Sequence, residues 1–190
     1  MKLLLKLLII IVLVMCIVGN AVANEDVNKL DFVDPDELQS WLVVNDSVMG
    51  GISQGQFLVE NDNGIFFGVL SLENNGGFAS VRRLLDAPVG SDVSKIAIRL
   101  KGDGGRYQFR VRTNRDFDGY AYQVSFNTIE NQWLTLFFEE RDFIATYRGM
   151  QLSNVPSLVF SRIEQVGFLI SDKQQGHFAL HIHAIKFLPD

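Results

Sequence analysis

Arginines alternate with other residues in one short stretch of this chain, and they are its side chains best suited to bind a ligand. From Arg106 to Thr113 the sequence reads RYQFRVRT. In an extended strand this alternation places one row of polar side chains on the same side, namely Arg106, Gln108, Arg110 and Arg112. A guanidinium group binds planar anions through paired hydrogen bonds and stacks on aromatic rings. The row therefore predicts a site for an acidic peptide, a glycan or an anion.

Neighbouring stretches supply further candidates for this site. Arg82 and Arg83 follow a glycine turn, and Tyr120 and Tyr122 lie in the next predicted strand. We expect a recognition site on a concave sheet face that contains Arg82, Gln108, Arg110, Arg112, Tyr120 and Tyr122. The alternative is that the arginines pair with the many Asp and Glu residues of the same domain.

The cations of this face must be compensated in some way. Burying a row of guanidinium groups without partners would cost several kcal/mol for each group. We therefore expect the face either to stay hydrated or to be lined by carboxylates. The candidate carboxylates are Glu73, Asp103 and Asp172.

Two glycine-punctuated stretches, residues 41–51 and 72–83, are predicted to be tight turns. Asn45 and Asp46 precede the first glycine pair, and Asn74 and Asn75 precede the second. Asn, Asp and Gly tolerate left-handed backbone, so we expect a positive φ in each pair of glycines. The turns could simply reverse the direction of the backbone. If they meet, the four side chains could instead form a polar rim that recognises hydroxyl groups, or a calcium site completed by backbone oxygens.

Other chemistry has weaker support. His181 and His183 share one face of the last strand at a spacing that can chelate a transition metal, but a solvated edge is the simpler interpretation. The sequence contains no nucleophile elbow, zinc-protease motif or phosphate-binding glycine loop. We therefore predict no metal, no cofactor and no enzymatic activity. Two unmarked carboxylates of a hydrolase remain the alternative.

Short alternating segments separated by turn residues make up most of the sequence. We predict about nine strands, at residues 56–60, 64–72, 77–85, 95–101, 106–113, 120–128, 133–139, 165–171 and 177–188. A capped proline at Asp34-Pro35 predicts one short helix toward Ser40. This pattern indicates an all-β, single-domain β-sandwich or jelly roll over residues 32–190. Trp41 and Trp133 are both expected to be buried.

The first 23 residues have the features of a secretory signal peptide. Lys2 and Lys6 precede an apolar run, and Ala21 and Ala23 occupy the small-residue positions before a cut ahead of Asn24. We expect export to a periplasmic or extracellular location, or a membrane anchor if the segment is not cleaved. Residues 24–31 are expected to be loose. Cleavage would also remove Cys16, the single cysteine, so no disulfide is predicted.

The charge balance disfavours one class of partner. The formal net charge is −5, and loss of Lys2 and Lys6 would make it −7. Non-specific nucleic-acid binding requires a net basic surface or stripe. We therefore predict no nucleic-acid partner.

Six motifs occur in an order that resembles the complex I intermediate-associated protein 30 family. They are NDSVMGGIS, NNGGFASVR, YQFRVRT, AYQVSF, YRG and VGFLISDKQQGHF, and the resemblance covers roughly Phe32 to Leu188. The resemblance implies a galactose-binding-like jelly roll. For the mitochondrial members it implies a chaperone role in the assembly of NADH:ubiquinone oxidoreductase.

Two functions are consistent with these observations. The first is an exported, non-enzymatic protein that binds a protein partner while a membrane or envelope complex is assembled. The second is a carbohydrate-binding module that recognises a glycan on its concave sheet face. Sugar platforms usually rely on exposed Trp, and the expected burial of Trp41 and Trp133 favours the protein partner.

Overall fold

The computed structural model describes residues 29–190, which form two packed antiparallel β-sheets. The strands are β1 (Lys29–Asp31), β2 (Trp41–Asn45), β3 (Gln54–Glu60), β4 (Asn63–Leu70), β5 (Ala79–Leu84), β6 (Val93–Lys101), β7 (Arg106–Arg112), β8 (Ala121–Asn127), β9 (Trp133–Phe138), β10 (Ile144–Tyr147), β11 (Met150–Gln151), β12 (Gln165–Ile170) and β13 (Gly176–Pro189). The six-stranded sheet has the order β3-β4-β13-β6-β9, with β1 also paired to β13. The seven-stranded sheet has the order β11-β10-β8-β7-β12-β5-β2.

Alternating side chains from the two sheets meet in one aromatic-rich core. In β7, Tyr107, Phe109 and Val111 are fully buried, as the two-residue period of a strand requires. The ring centroid of Phe109 lies 5.4 Å from that of Phe168 in β12 and 6.3 Å from that of Phe138 in β9, so Phe109 packs within its own sheet and against the other. Because the inner faces are apolar, the polar side chains of the same strands lie on the outer faces.

All nine predicted strands are present, with ends that differ by at most two residues. The strands that were not predicted are β1, β2, β10 and β11, each of five residues or fewer. The expectation of a loose segment is wrong for Lys29–Asp31, which pair with β13. The predicted signal peptide with Cys16, and residues 24–28 of the loose segment, lie outside the described residues.

The predicted short helix is a 3-10 helix over Pro35–Ser40. The carboxylate of Asp34 caps it by accepting a hydrogen bond from the Asp36 N–H at 2.9 Å. Glu37 in its first turn accepts hydrogen bonds from the indole of Trp41 and the guanidinium of Arg83. Arg83 also pairs with Asp86, so this arginine is structural. No helix among residues 29–190 combines the length and hydrophobicity needed to cross a membrane.

The side chain of Asp46 joins the two glycine turns at one end of the sandwich. It follows β2 and is 1% exposed. Its carboxylate accepts hydrogen bonds from the backbone N–H and the hydroxyl of Ser53, at 2.9 and 2.6 Å. It also accepts one from the N–H of Gly77 at 2.6 Å and a longer one from Phe78 at 3.4 Å. One carboxylate therefore holds together the segments that enter β3 and β5, which belong to different sheets.

The four glycines of these turns are needed for two different reasons. Gly50 and Gly77 have φ values of +91° and +125°, which confirms the predicted positive φ in each pair. For Gly51 and Gly76 the constraint is space. A Cβ atom would lie 2.3 Å from the nearest atom of the Asp46 carboxyl group at Gly51, and 2.5 Å from it at Gly76.

Stability should depend on pH through Asp46. Although burial raises the pKa of Asp46, its hydrogen bonds from Ser53, Gly77 and Phe78 outweigh this and hold the pKa below the ordinary value. A carboxyl whose pKa is lower in the folded protein stabilises it fully above the ordinary pKa, and this stabilisation is lost as the pH falls through the folded pKa. We expect Asp46→Asn to lower the free energy of unfolding by about 2 kcal/mol or more at neutral pH. Urea titrations should show the difference from wild type shrinking as the pH falls to about 3. A difference that is unchanged by acid would contradict this assignment.

Gly77→Ala should destabilise the protein by about 1 kcal/mol or more, because alanine tolerates the positive φ poorly. The added Cβ would also lie 3.0 Å from Leu72 Cδ2. Thermal or urea unfolding of the variant measures the effect. Ser91→Ala, at an exposed position, is the control and should change stability by less than about 0.5 kcal/mol. Equal stability of the two variants would show that residue 77 does not need this conformation.

Candidate functional site

Three arginines from two strands approach each other on the outer face of the seven-stranded sheet. Arg82 belongs to β5, Arg110 and Arg112 belong to β7, and β12 runs between these strands. The register places Gly167 of β12 directly opposite both Arg82 and Arg110. A Cβ on Gly167 would lie 2.2 Å from the carbonyl oxygen of Val81, so only glycine fits at this position. The result is a small depression of about 30 Å³ bordered by the three arginines, which we call the arginine cluster.

Two members of the cluster are held by backbone carbonyls of the loop between β7 and β8. Arg112 Nη1 donates to the carbonyl oxygens of Gly119 at 2.6 Å and Tyr120 at 3.3 Å. Arg82 Nη1 donates to the carbonyl oxygen of Phe117 at 2.6 Å, and its guanidinium lies 4.8 Å from the Phe117 ring centroid. These contacts fix the direction in which both guanidinium groups point.

Arg110 lacks such contacts. Within residues 29–190 its guanidinium takes part in no side-chain hydrogen bond or ion pair, and its Nε atom is buried without a partner. Burial lowers the pKa of Arg110 to about 10, and the positive charges of Arg112 and Arg82 act in the same direction. Arg110 therefore has donors available for a ligand in a place where a negative charge would be stabilised.

The pKa values of the two neighbouring arginines are lowered as well. Burial and the charge of Arg82 lower the pKa of Arg112 to about 10, with a smaller opposing effect from Asp118. Burial also lowers the pKa of Arg82. In the described part of the protein, the ion pairs within 4.0 Å do not include any member of the cluster. The predicted pairing of these three arginines with Asp and Glu residues is therefore absent from residues 29–190.

Of the three carboxylates expected to line this face, Asp172 pairs with an arginine of the predicted row, and the other two form no ion pair with that row within residues 29–190. Asp103 accepts hydrogen bonds from the Tyr107 hydroxyl at 3.0 Å and the Ala179 N–H at 2.9 Å. Asp172 pairs with Arg106, at 3.7 Å, and Glu73 is exposed in the second glycine turn. Asp172 thus compensates one arginine of the predicted row, whereas the expectation for Glu73 and Asp103 is wrong because their loops join other parts of the sheet edges.

The predicted row in β7 is only partly available to a ligand. Gln108 is buried, and its amide nitrogen donates to the Ser171 hydroxyl at 3.4 Å. Arg106 is exposed but paired with Asp172. Arg110 and Arg112 thus share a face with Gln108, as predicted, but the unpaired donors are concentrated around Arg110.

The two tyrosines predicted to join the arginines are on the other side of the sheet. Tyr122 is 4% exposed, and its hydroxyl donates to the carbonyl oxygen of Pro156 at 2.8 Å. Tyr120 packs against Tyr122, with ring centroids 5.6 Å apart, and borders the core. The structure therefore contradicts the prediction for both residues. Alternation along β8 turns Gln123 and Ser125 toward the arginine face, and register pairs Gln123 with Arg110.

The glycine-turn side chains form a separate group. Asn45 exchanges two hydrogen bonds with the backbone of Gly55, and the oxygens of Asp46 accept bonds from N–H and O–H donors. These two residues are thus structural, and Asp46 is unsuited to calcium. Asn74 and Asn75 are exposed, with φ values of +56° and +58°. None of the four residues lines the depression at the arginine cluster.

The prediction that Trp133 is buried is wrong. Trp41 is buried as expected, but Trp133 is half-exposed on the outer face of the six-stranded sheet. His183 lies beside Trp133, with ring centroids 6.1 Å apart. Among residues 29–190, no three His, Asp or Glu side chains are close enough together to hold a metal ion.

Comparison with known proteins assigns this protein to a family. A family model described as complex I intermediate-associated protein 30 matches residues 30–182. The chain belongs to this family. The mouse mitochondrial complex I intermediate-associated protein 30 is 24% identical, in a match that covers 84% of this chain and 55% of the mouse protein. This member of the complex I intermediate-associated protein 30 family therefore spans about half the length of that relative. An uncharacterized Schizosaccharomyces pombe protein is 26% identical, over 80% of this chain and 78% of its own.

Solved structures confirm the predicted jelly-roll fold. A family 11 carbohydrate-binding module from Clostridium thermocellum, in complex with a β-1,3-1,4-mixed-linked tetrasaccharide, has a TM-score of 0.63 and 15% identity. The match covers 84% of this chain and 94% of the module. An agarase matches with a TM-score of 0.55 and 10% identity, over 85% of this chain and 25% of the agarase. At these identities the likeness concerns the fold alone.

Replacing Arg110 should not destabilise the protein, because its charge is unpaired and faces two like charges. We expect Arg110→Met to raise the free energy of unfolding by about 1 kcal/mol, since methionine keeps much of the length of the side chain and removes the charge. Urea unfolding measures the change. Arg115→Met, at an exposed arginine paired with Glu164, is the control and should stay within about 0.5 kcal/mol of wild type. A loss of stability in Arg110→Met alone would show that Arg110 is structural.

Proposed function

We propose that this protein is an exported, non-enzymatic binding protein that holds an anionic group of a partner protein at the arginine cluster. In this proposal the partner is a subunit of a membrane or envelope complex during its assembly. Membership in the complex I intermediate-associated protein 30 family supports a protein partner. The observation that carries the proposal is the partly buried, unpaired guanidinium of Arg110 between Arg82 and Arg112.

The chemistry of the cluster favours a carboxylate over a neutral ligand. A guanidinium and a carboxylate form two parallel, charge-assisted hydrogen bonds. Arg110 offers its donors beside two further positive charges that are partly shielded from water, where Coulomb attraction is stronger than at a fully exposed surface. An Asp or Glu side chain, or the terminal carboxylate of a polypeptide, would accept hydrogen bonds from the terminal Nη groups of Arg110 and offset the mutual repulsion of the arginines.

A glycan on the same face is the second candidate. The fold matches a carbohydrate-binding module that was solved with a tetrasaccharide, and amide and hydroxyl groups of Gln123 and Ser125 lie on the arginine face. However, the aromatic side chains of β7, β8 and β12 point toward the core or its border, so these strands lack a stacking platform on this face. If a glycan binds here, an acidic sugar fits the cluster better than a neutral one.

Site-specific crosslinking in cells tests the proposal. A photoreactive amino acid in place of Ser125, next to the cluster on an exposed part of β8, should crosslink to a protein. The same substitution at Gln56, exposed on the six-stranded sheet, provides the matched position. Arg110→Gln should reduce the Ser125 crosslink by at least about tenfold, whereas Arg115→Gln should leave it unchanged.

The outcomes separate the two candidate functions. A crosslink that persists in Arg110→Gln would overturn the arginine cluster as the recognition site. Calorimetric titration with the mixed-linked tetrasaccharide and with an acidic oligosaccharide tests the second candidate. Binding of either sugar that Arg110→Gln abolishes, without any protein crosslink at Ser125, would replace the protein partner by a glycan.

A further inference from the structure

A second cationic surface lies on the outer face of the six-stranded sheet, on the opposite side of the sandwich from the arginine cluster. Two adjacent rows of side chains cross strands β1, β13, β6 and β9 there. One row consists of Lys29, Lys186, Ala97 and Phe137, and the next consists of Asp31, Ala184, Arg99 and Thr135. The inward neighbours of these rows, including Ile98 and Ile185, are fully buried, which fixes the outward direction of the rows.

The two rows enclose a cleft of about 430 Å³. Ala97 and Ala184 contribute the smallest side chains among its lining residues and form its floor, while Phe137 and Leu188 supply apolar walls. Phe137, near the end of β9, is 57% exposed although it is a large aromatic side chain within a paired strand. The volume falls in the range of pockets that hold ligands, roughly 300–1,000 Å³.

The polar part of this cleft is cationic. Arg99 and Lys186 line it and form no ion pair within residues 29–190, and Lys29 pairs with Asp31. At one end of the cleft, Arg99 and Lys101 lie 5.7 and 5.5 Å from the ring centroid of Trp133. A protein with a net charge of −5 therefore has a cleft whose unpaired charges are positive and lie beside apolar groups.

We infer that this cleft binds an acidic polypeptide segment that also carries aliphatic or aromatic side chains, supplied by a partner protein. The unpaired cations of Arg99 and Lys186 attract the acidic side chains of the segment. The apolar walls formed by Phe137 and Leu188 contact its aliphatic or aromatic side chains. The first row crosses three gaps between strands, about 14 Å, which is the length of roughly four residues of an extended segment. This site does not depend on the arginine cluster.

The shape of the surface distinguishes this ligand from two others. A flat bilayer would reach the lysine and arginine rim, but it would leave the alanine floor between Phe137 and Leu188 unfilled. A neutral glycan would leave the charges of Arg99 and Lys186 without a counter-charge, and the ring of Trp133 already has cations on it. An extended peptide can direct an anionic side chain to Lys186 at one end of the row and an apolar side chain to Phe137 at the other, with the small side chain of Ala97 between them.

Titration with a defined peptide tests this inference. The probe is a short acetylated and amidated peptide that contains one phenylalanine and one leucine among glutamates. Its control has glutamine in place of each glutamate. At low salt we expect the acidic peptide to bind and to shift the backbone amide NMR signals of Ala97, Phe137 and Ala184, and we expect added salt to weaken binding. The glutamine peptide should not bind measurably.

Matched variants then locate the site. Arg99→Gln combined with Lys186→Gln should weaken binding at least about tenfold, and Phe137→Ser should weaken it as well. Arg115→Gln combined with Lys173→Gln removes the same charge from exposed positions outside both sites and should leave the affinity within about twofold. Binding that persists in the Arg99 and Lys186 double variant but is lost in Arg82→Gln combined with Arg110→Gln would assign the peptide to the arginine cluster and overturn the inference.

The remaining outcomes also bear on the inference. If the acidic peptide fails to bind the wild-type protein, the inference is wrong. Vesicles of phosphatidylcholine and phosphatidylglycerol test the membrane in parallel. Vesicle binding that needs Arg99 and Lys186, without peptide binding, would assign the surface to anionic lipid. The Arg110-dependent crosslink at Ser125 is independent of all these results, so failure of one proposal leaves the other standing.

Discussion

The carboxylate of Asp46 is the single group on which the arrangement of the two sheets most depends. The backbone passes from the seven-stranded to the six-stranded sheet after β2 and returns before β5, and Asp46 accepts hydrogen bonds from both crossings. The hydroxyl of Ser53 extends this network by accepting a hydrogen bond from the N–H of Ser71 at the end of β4. A buried carboxylate that accepts several backbone bonds needs close approach of the backbone, which explains why glycines surround it. The pairing of β2 with β5, the strand that carries Arg82, ends directly beside this junction at Asn45 and Ala79.

The face on which a side chain of the candidate sites lies could be predicted from local sequence, because it follows from the two-residue period of a strand. The period placed Arg110 and Arg112 opposite Phe109 and Val111, as observed. Applied consistently, the period would also have excluded Tyr122 from the arginine face, because Tyr122 alternates with Gln123. It would also have placed Trp133 and Phe137 on the outer face of their sheet, because they alternate with buried or half-buried residues in β9. The predictions for Tyr122 and Trp133 were wrong because they relied on the type of residue rather than on its position in the alternation.

Other features could not be predicted locally because they depend on contacts between distant segments. Arg82 meets Arg110 only because β12, more than fifty residues after Arg110, inserts between β5 and β7 and presents Gly167. The role of Asp46 likewise depends on a turn about thirty residues later in the sequence. The strands β1, β2, β10 and β11 have too few residues to show a clear period, and pairing with longer neighbours stabilises them.

The overall net charge conceals how the individual charges are distributed. Acidic residues such as Asp62, Asp86 and Asp116 are found mainly in turns and loops, where Asp is favoured for its local hydrogen bonds. The outer faces of the sheets instead carry arginine and lysine on long stems that cover apolar surface. A formal charge of −5 is thus compatible with two cationic faces.

These two faces are separated by the full thickness of the sandwich. The sheets pack about 10 Å apart, and the rings of Phe109, Phe138 and Phe168 fill the space between them. A close-packed core does not deform easily, so a ligand on one face should change the affinity of the other very little. If each face holds an acidic segment, two segments that meet rarely in solution are kept within a few nanometres of each other. Their effective concentration then rises to the millimolar range without any contact between them. A small domain can in this way promote assembly by holding components together, and such a role requires no catalytic group.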